Sequence, residues 1–330
     1  MLAGAAQPEL SGPGLAARPV ALTVVLLIAT LLLAFVAAAC GGGEDDRDAV
    51  REAAATGRPP SASEVRLVVS RDFGGGVLRD LVVPAGKGTD ALRVLAENAE
   101  VDTGYGGQFV SGIDGLQSSF GGGDAANAAD WFYWVDGVMG DVGAADWKLR
   151  GGETVWWDYH RWADAMMVPL ALHAFPRPYT GGQLAVTSSD EVGGLAAWAE
   201  ANGLEPAERR PLAAKPPDGG LVLATAAEAA ATPWLLELLD ASHSGVEMID
   251  ASDGTLRLRA PGDSTQTRAD AAAQGVTNQE DPDRPFLIVL GATTADLEAF
   301  LPRLTAADLS AAVGLALVDG ALVRLPWLGE

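Results

Sequence analysis

Two short stretches of this chain carry large rings on both of their faces. Six of the nine Trp fall between residues 131 and 162, and the segments WFYWVDGV (131–138) and ETVWWDYHRW (153–162) read as β-strands. Successive side chains on a strand point to opposite sides of the sheet. Trp131, Tyr133 and Val135 therefore share one face, and Phe132, Trp134 and Asp136 the other; Trp157 and Tyr159 likewise oppose Trp156 and Asp158. One face of such a sheet builds the core. The other ring-bearing face packs on a helix or on the rest of the chain, lies under a loop, or meets a ligand or partner. On the ligand reading the contact residues are Trp131, Tyr133, Trp134, Asp136, Trp156, Trp157 and Tyr159.

The neighbouring sequence supplies the rest of a sheet. VRLVVSRDF from Val65 alternates as a strand, Gly74-Gly75-Gly76 makes a turn, and VLRDLVVP follows as its hairpin partner. Thr89 can cap a helix through 90–97, with Leu92, Leu95 and Ala96 on one face. FVSGIDGL (109–116) reads as a short strand broken by a turn, Asp136-Gly137 as a tight turn, and MMVPLALHAF (166–175) as a further strand. The expectation for 64–177 is an α+β domain with one helix on one sheet.

After Phe175-Pro176-Arg177-Pro178 strands alternate with helices, which predicts a small α/β domain over 178–330. Its expected strands are 184–188, 221–225 and 286–292, with a hairpin over 246–260 and another over 314–326 turning at Asp319-Gly320. Its expected helices are 191–202 capped by Asp190, an Ala-rich helix from Thr225 to Leu239, and one capped by Thr294 that Pro302 shortens. Residues 261–285 read as a polar, irregular loop.

Upstream, residues 20–39 (VALTVVLLIATLLLAFVAAA) carry no charge and are long enough to span a bilayer as a helix. They end in small residues directly before Cys40, the only cysteine. This arrangement resembles a bacterial lipoprotein signal, which would make Cys40 the lipidated first residue of the mature protein. The alternative is an uncleaved membrane anchor. Either way Arg18, ahead of the apolar run, places the remainder outside the cytoplasm, with 41–63 as a flexible tether. The net charge of −22 would repel phosphate backbones, which excludes nucleic acid as a partner.

Residues suited to catalysis are few. His160, His173 and His243 are far apart. Asp158 and His160 share a strand face at a spacing that suits a metal- or corrin-ligating pair, or an ordinary surface pair. His243 between Ser242 and Ser244 is the only local base with a nucleophile beside it, and the glycine triplets 74–76 and 121–123 lack the context of a phosphate loop. No enzymatic activity, catalytic residue, metal centre or resident cofactor is expected.

In order along 87–159 come Gly88-Thr89-Asp90-Ala91-Leu92, the strand FVSGIDGL, the aromatic strand ending Val135-Asp136-Gly137, then Gly151-Gly152-Glu153 leading into Val155-Trp156-Trp157-Asp158-Tyr159. This succession resembles the C-terminal β-domain of transcobalamin and intrinsic factor, together with bacterial relatives of undefined function. Asp136 stands where that pattern has Asn, and Gly152-Glu153 where it has Gly-Asp. The resemblance implies a β-grasp-like fold of the soluble-ligand-binding type and points to a corrinoid or another vitamin as ligand. In the cobalamin carriers the domain closes over the corrinoid against a helical barrel, which this chain lacks. The expected role is an extracytoplasmic ligand-binding or substrate-presenting protein accessory to vitamin uptake. The alternative is a protein–protein interaction module that docks a membrane transporter component without a small molecule.

Overall fold

The computed structural model describes residues 59–107, 109–119, 127–180, 182–216, 218–240, 249–262 and 265–329. The apolar run, Cys40, most of the tether, the 121–123 triplet and His243 with its two serines lie outside the described residues. Residues 53–330 form one compact unit. No helix among the described residues is long and apolar enough to cross a membrane. The architecture is mixed α+β, dominated by sheet.

The first sheet contains β1 (Glu64–Arg71), β2 (Gly76–Pro84), β6 (Ala129–Val135), β7 (Val138–Met139) and β8 (Thr154–Arg161), in the order β2-β1-β8-β6-β7. β1 and β8 run parallel at its centre and the other pairs are antiparallel. A separate small sheet holds β3 (Val101–Gly104), β4 (Phe109–Ile113) and β5 (Leu116–Gln117). Helix α1 (Ala91–Ala96) covers the face of the first sheet that presents Val65, Leu67, Trp131, Tyr133 and Trp157, burying Ala91, Val94 and Leu95 there. Its cap is Asp90 and not Thr89: the Asp90 carboxylate accepts the Arg93 N–H at 2.7 Å.

A short helix, α2 (Trp162–Ala165), comes directly after β8, and a second, seven-stranded sheet follows. Its parallel half is β9 (Gln183–Thr187), β10 (Glu205–Arg210), β11 (Gly220–Thr225) and β15 (Phe286–Gly291). Its antiparallel half is β14 (Ala271–Val276), β16 (Gly314–Val318) and β17 (Ala321–Leu325), giving the order β10-β9-β11-β15-β14-β16-β17. Leu221 and Leu223 face one core and Val222 and Ala224 the other, as the two-residue period requires. Helices α3 (Leu195–Ala201) and α6 (Thr294–Phe300) cover the first of these faces. Helices α4 (Ala226–Ala230) and α5 (Pro233–Leu239) share the second with the first sheet, whose Val68, Trp134 and Trp156, with Phe73 of the β1–β2 turn, belong to the same buried cluster as Val222, Ile288 and Ala316.

Several expectations need correction. Segment 166–175 is not a strand. Pro169 has no N–H for a ladder, and only Leu170 forms a bridge, to Val138. Gly194, at φ 80°, holds α3 back to Leu195, so Asp190 caps nothing. The Ala-rich helix breaks before Pro233 into α4 and α5, and α6 is capped by Thr293 in place of Thr294. In the expected 246–260 hairpin only Asp250 bridges Arg257, and β12 (Arg257–Arg259) pairs instead with β13 (Gln266–Arg268). The expected loop 261–285 contains β14, whose residues are all buried between β15 and β16.

An aromatic cavity at the open edge of β6

The turn Asp136-Gly137 sets the register of the aromatic strands. Both residues have positive φ, 47° and 91°, the combination that a two-residue hairpin of the primed type requires. Asp136 Oδ1 accepts the Thr154 N–H at 2.9 Å and Oδ2 accepts Arg177 Nη1 at 2.7 Å, so this carboxylate ties β6 to β8 and to the segment beyond. Glu153, itself buried, accepts the N–H groups of Arg150 and Gly151 at 2.6 and 3.0 Å and shapes the entry to β8.

The register pairs Tyr133 with Trp157 and Trp134 with Trp156. The expected contact residues consequently divide between two environments. Trp134 and Trp156 are fully buried between the two sheets, their rings 4.8 Å apart, with Trp134 Nε1 donating to the Val168 carbonyl (2.8 Å) and Trp156 Nε1 to Ser70 Oγ (2.7 Å). Trp131, Tyr133 and Trp157 lie on the α1 face, where Tyr133 stacks on Trp157 at 5.0 Å. Tyr159 is half-buried, 5.3 Å from the Trp131 ring, and donates to the Gln117 carbonyl.

β7 pairs only with Trp134 and Val135, so no strand covers the β7 side of β6 between 130 and 133. A cavity of about 360 Å³ opens there. Trp131, Phe132, Tyr133 and Trp157 line it from the sheet, Phe109 and Val110 from β4, and Met139, Gly140, Val142, Gly143 and Ala144 from β7 and the loop after it. Trp162, Met166 and Met167 close the remaining side, with both methionines exposed at the rim. Gly140 belongs to this wall because a methyl group there would overlap the Tyr133 ring. The Tyr133 hydroxyl donates to the Val142 carbonyl at 2.6 Å, and burial, with Asp141 and Asp146 nearby, pushes its pKa up to about 12. It is a fixed donor. Asp130 Oδ1 and Trp157 Nε1, on cavity-lining side chains, are buried without a hydrogen-bond partner. Neither was singled out for this from sequence, although Asp130 stands out as a charge in an otherwise apolar strand.

The Asp158–His160 pair is brought together, but inside the protein. His160 Nδ1 lies 3.0 Å from Asp158 Oδ2, and the ring is stacked between Phe73 (4.0 Å) and Phe132 (4.5 Å). Asp158 also accepts from Ser70 Oγ (2.5 Å) and from the Phe73 and Gly74 N–H groups (2.9 and 3.1 Å). A carboxylate so occupied organises the β1–β2 turn and has little left for a metal. Among the described residues no group of three or more His, Cys, Asp or Glu could hold one.

The fold and cavity define a mixed α+β protein with an aromatic pocket at a sheet edge. Residues 88–161, which include most of that pocket, match the family described as a domain of unknown function, DUF4430. No curated protein matches the chain. Among solved structures, it is similar to the crystal structure of a candidate metal binding protein from Ruminococcus gnavus ATCC 29149, at 15% identity over 29% of this chain and 95% of that one, with a TM-score of 0.23. None of these matches is specific to the transcobalamin family, whose likeness rests on the motifs alone.

Proposed function

We propose that this chain is an extracytoplasmic ligand-binding protein, held at the membrane by lipidated Cys40 or by the apolar run 20–39, and that its ligand enters the cavity at the open edge of β6. The observation that carries the reading is that cavity: mostly apolar walls, aromatic rings on three sides and the unpartnered polar atoms of Asp130 and Trp157, the usual composition of a small-molecule site. No catalytic step belongs to it. We also infer a β-grasp relationship for the first sheet, from its order β2-β1-β8-β6-β7 with a parallel central pair and a helix on one face.

The cavity is at the small end of the roughly 300–1,000 Å³ range of ligand pockets. A corrinoid would lie across its mouth, whereas a one- or two-ring vitamin would fit within it. Trp134, Asp136 and Trp156 take no part in binding, being committed to the interior and to the turn. The test is titration of fragment 53–330 with corrinoids and smaller vitamins while following Trp fluorescence. A saturable change that Trp157→Ala abolishes supports the reading, and a flat response to all of them counts against it. The exposed rim of Met166, Met167 and Val142 favours a second reading, docking of a membrane transporter subunit without a small molecule. In that case Met166→Ser with Met167→Ser would release the partner while no ligand changes the fluorescence.

A further inference from the structure

We propose that the cavity takes an organic ammonium ion with a compact apolar body, its charged end held by Asp130. This rests on the ligand-binding reading above and adds the chemical class of the ligand. Asp130 is 4% exposed, lines the cavity, and leaves Oδ1 without a partner. A buried carboxylate with an unmet oxygen is costly, and a cationic donor removes that cost.

The protein supplies no such donor among the described residues. Arg161, across the β6–β8 ladder, is engaged by Asp164 through two bonds of 3.0 and 2.5 Å. His160 is the direct cross-strand neighbour of Asp130, but its Nδ1 faces the Asp158 carboxylate. Its Nε2 lacks a hydrogen-bond partner as well.

The cavity walls point the same way. Phe132, on the same side of β6 as Asp130, also lines the cavity, and an aromatic ring face carries the negative quadrupole that attracts ammonium ions. An anionic ligand would meet Asp130 and a chain of net charge −22. A neutral apolar ligand would leave the carboxylate oxygen as it is. A metal ion would find too few ligands among the described residues.

The experiment compares three probes of one shape on fragment 53–330, the compact unit: phenethylammonium, 2-phenylethanol and phenylacetate, each followed by Trp fluorescence and calorimetry. Phenethylammonium is expected to bind at least about tenfold more tightly than 2-phenylethanol, and phenylacetate not at all. Asp130→Asn should bring the cation and the alcohol to equal affinity while binding of the alcohol persists, which reports an intact cavity. Should that variant fail to fold, the three-probe comparison on the unaltered fragment still decides. Equal binding of cation and alcohol by the unaltered protein overturns the ammonium assignment and leaves the ligand-binding reading standing. Silence toward all three overturns both.

Discussion

His173 gives the buried interior a built-in sensitivity to acid. Its ring is 2% exposed, 4.8 Å from Trp156 between the two sheets. Burial, reinforced by the positive charge of Arg66 and only partly opposed by the nearby Thr154 backbone, pulls its pKa down to about 3 from the ordinary 6.5. The unfolded chain therefore binds a proton below pH 6.5 that the folded chain refuses until near pH 3. Stability from this group is complete above pH 6.5 and is lost as the pH falls between those values, by about 1.4 kcal/mol per unit. At pH 5.0 the loss is about 2 kcal/mol. Urea unfolding of fragment 53–330 and of His173→Phe, from pH 7.5 to 5.0, isolates this term, because the carboxylates titrate alike in both. The stability difference, unaltered minus variant, should fall by about 2 kcal/mol over that range. Parallel pH profiles would refute the argument.

Three further outcomes follow from the packing. Trp156→Ala, which empties a site in the cluster shared by both sheets, should cost about 3–5 kcal/mol and lower the thermal midpoint of the whole unit in one transition; two separated calorimetric transitions in the unaltered protein would contradict the shared core. Gly140→Ala, forced against the Tyr133 ring, should cost about 1–3 kcal/mol by urea unfolding and weaken any cavity ligand. Asp158→Ala leaves Ser70 and two buried N–H groups of the β1–β2 turn without their acceptor, and should destabilise by about 3–5 kcal/mol with faster amide exchange at Phe73 and Gly74.

The hairpins at 64–84 and 314–325 were legible because period-two alternation and Gly or Asp-Gly turns act locally. The aromatic strands were legible for the same reason, as was the surplus of rings over what one face can bury. Where that surplus goes was not. Trp134 and Trp156 share their buried cluster with second-sheet residues from Val222 onward, more than sixty residues downstream, and no local pattern encodes a contact of that range. β14 was missed because Ala271-Ala272-Ala273-Gln274-Gly275 has neither β-branched residues nor alternation, while in the sheet the small side chains let neighbours close over both faces. Gly275, for instance, admits Leu170 and Leu172, which a side chain there would displace. The cavity is similarly invisible in sequence, since it depends on β7 stopping after two residues and leaving the edge of β6 uncovered.

Strand β1 has a mechanical consequence. A load applied along the chain from its N-terminal side reaches the described strands first at β1. This strand is held lengthwise between β2 and β8, and the turn that follows is fastened by Asp158 and by Arg324 donating to the Gly74 carbonyl. A pull along that strand strains its ladders on both sides together in shear, where an edge strand would peel away one rung at a time.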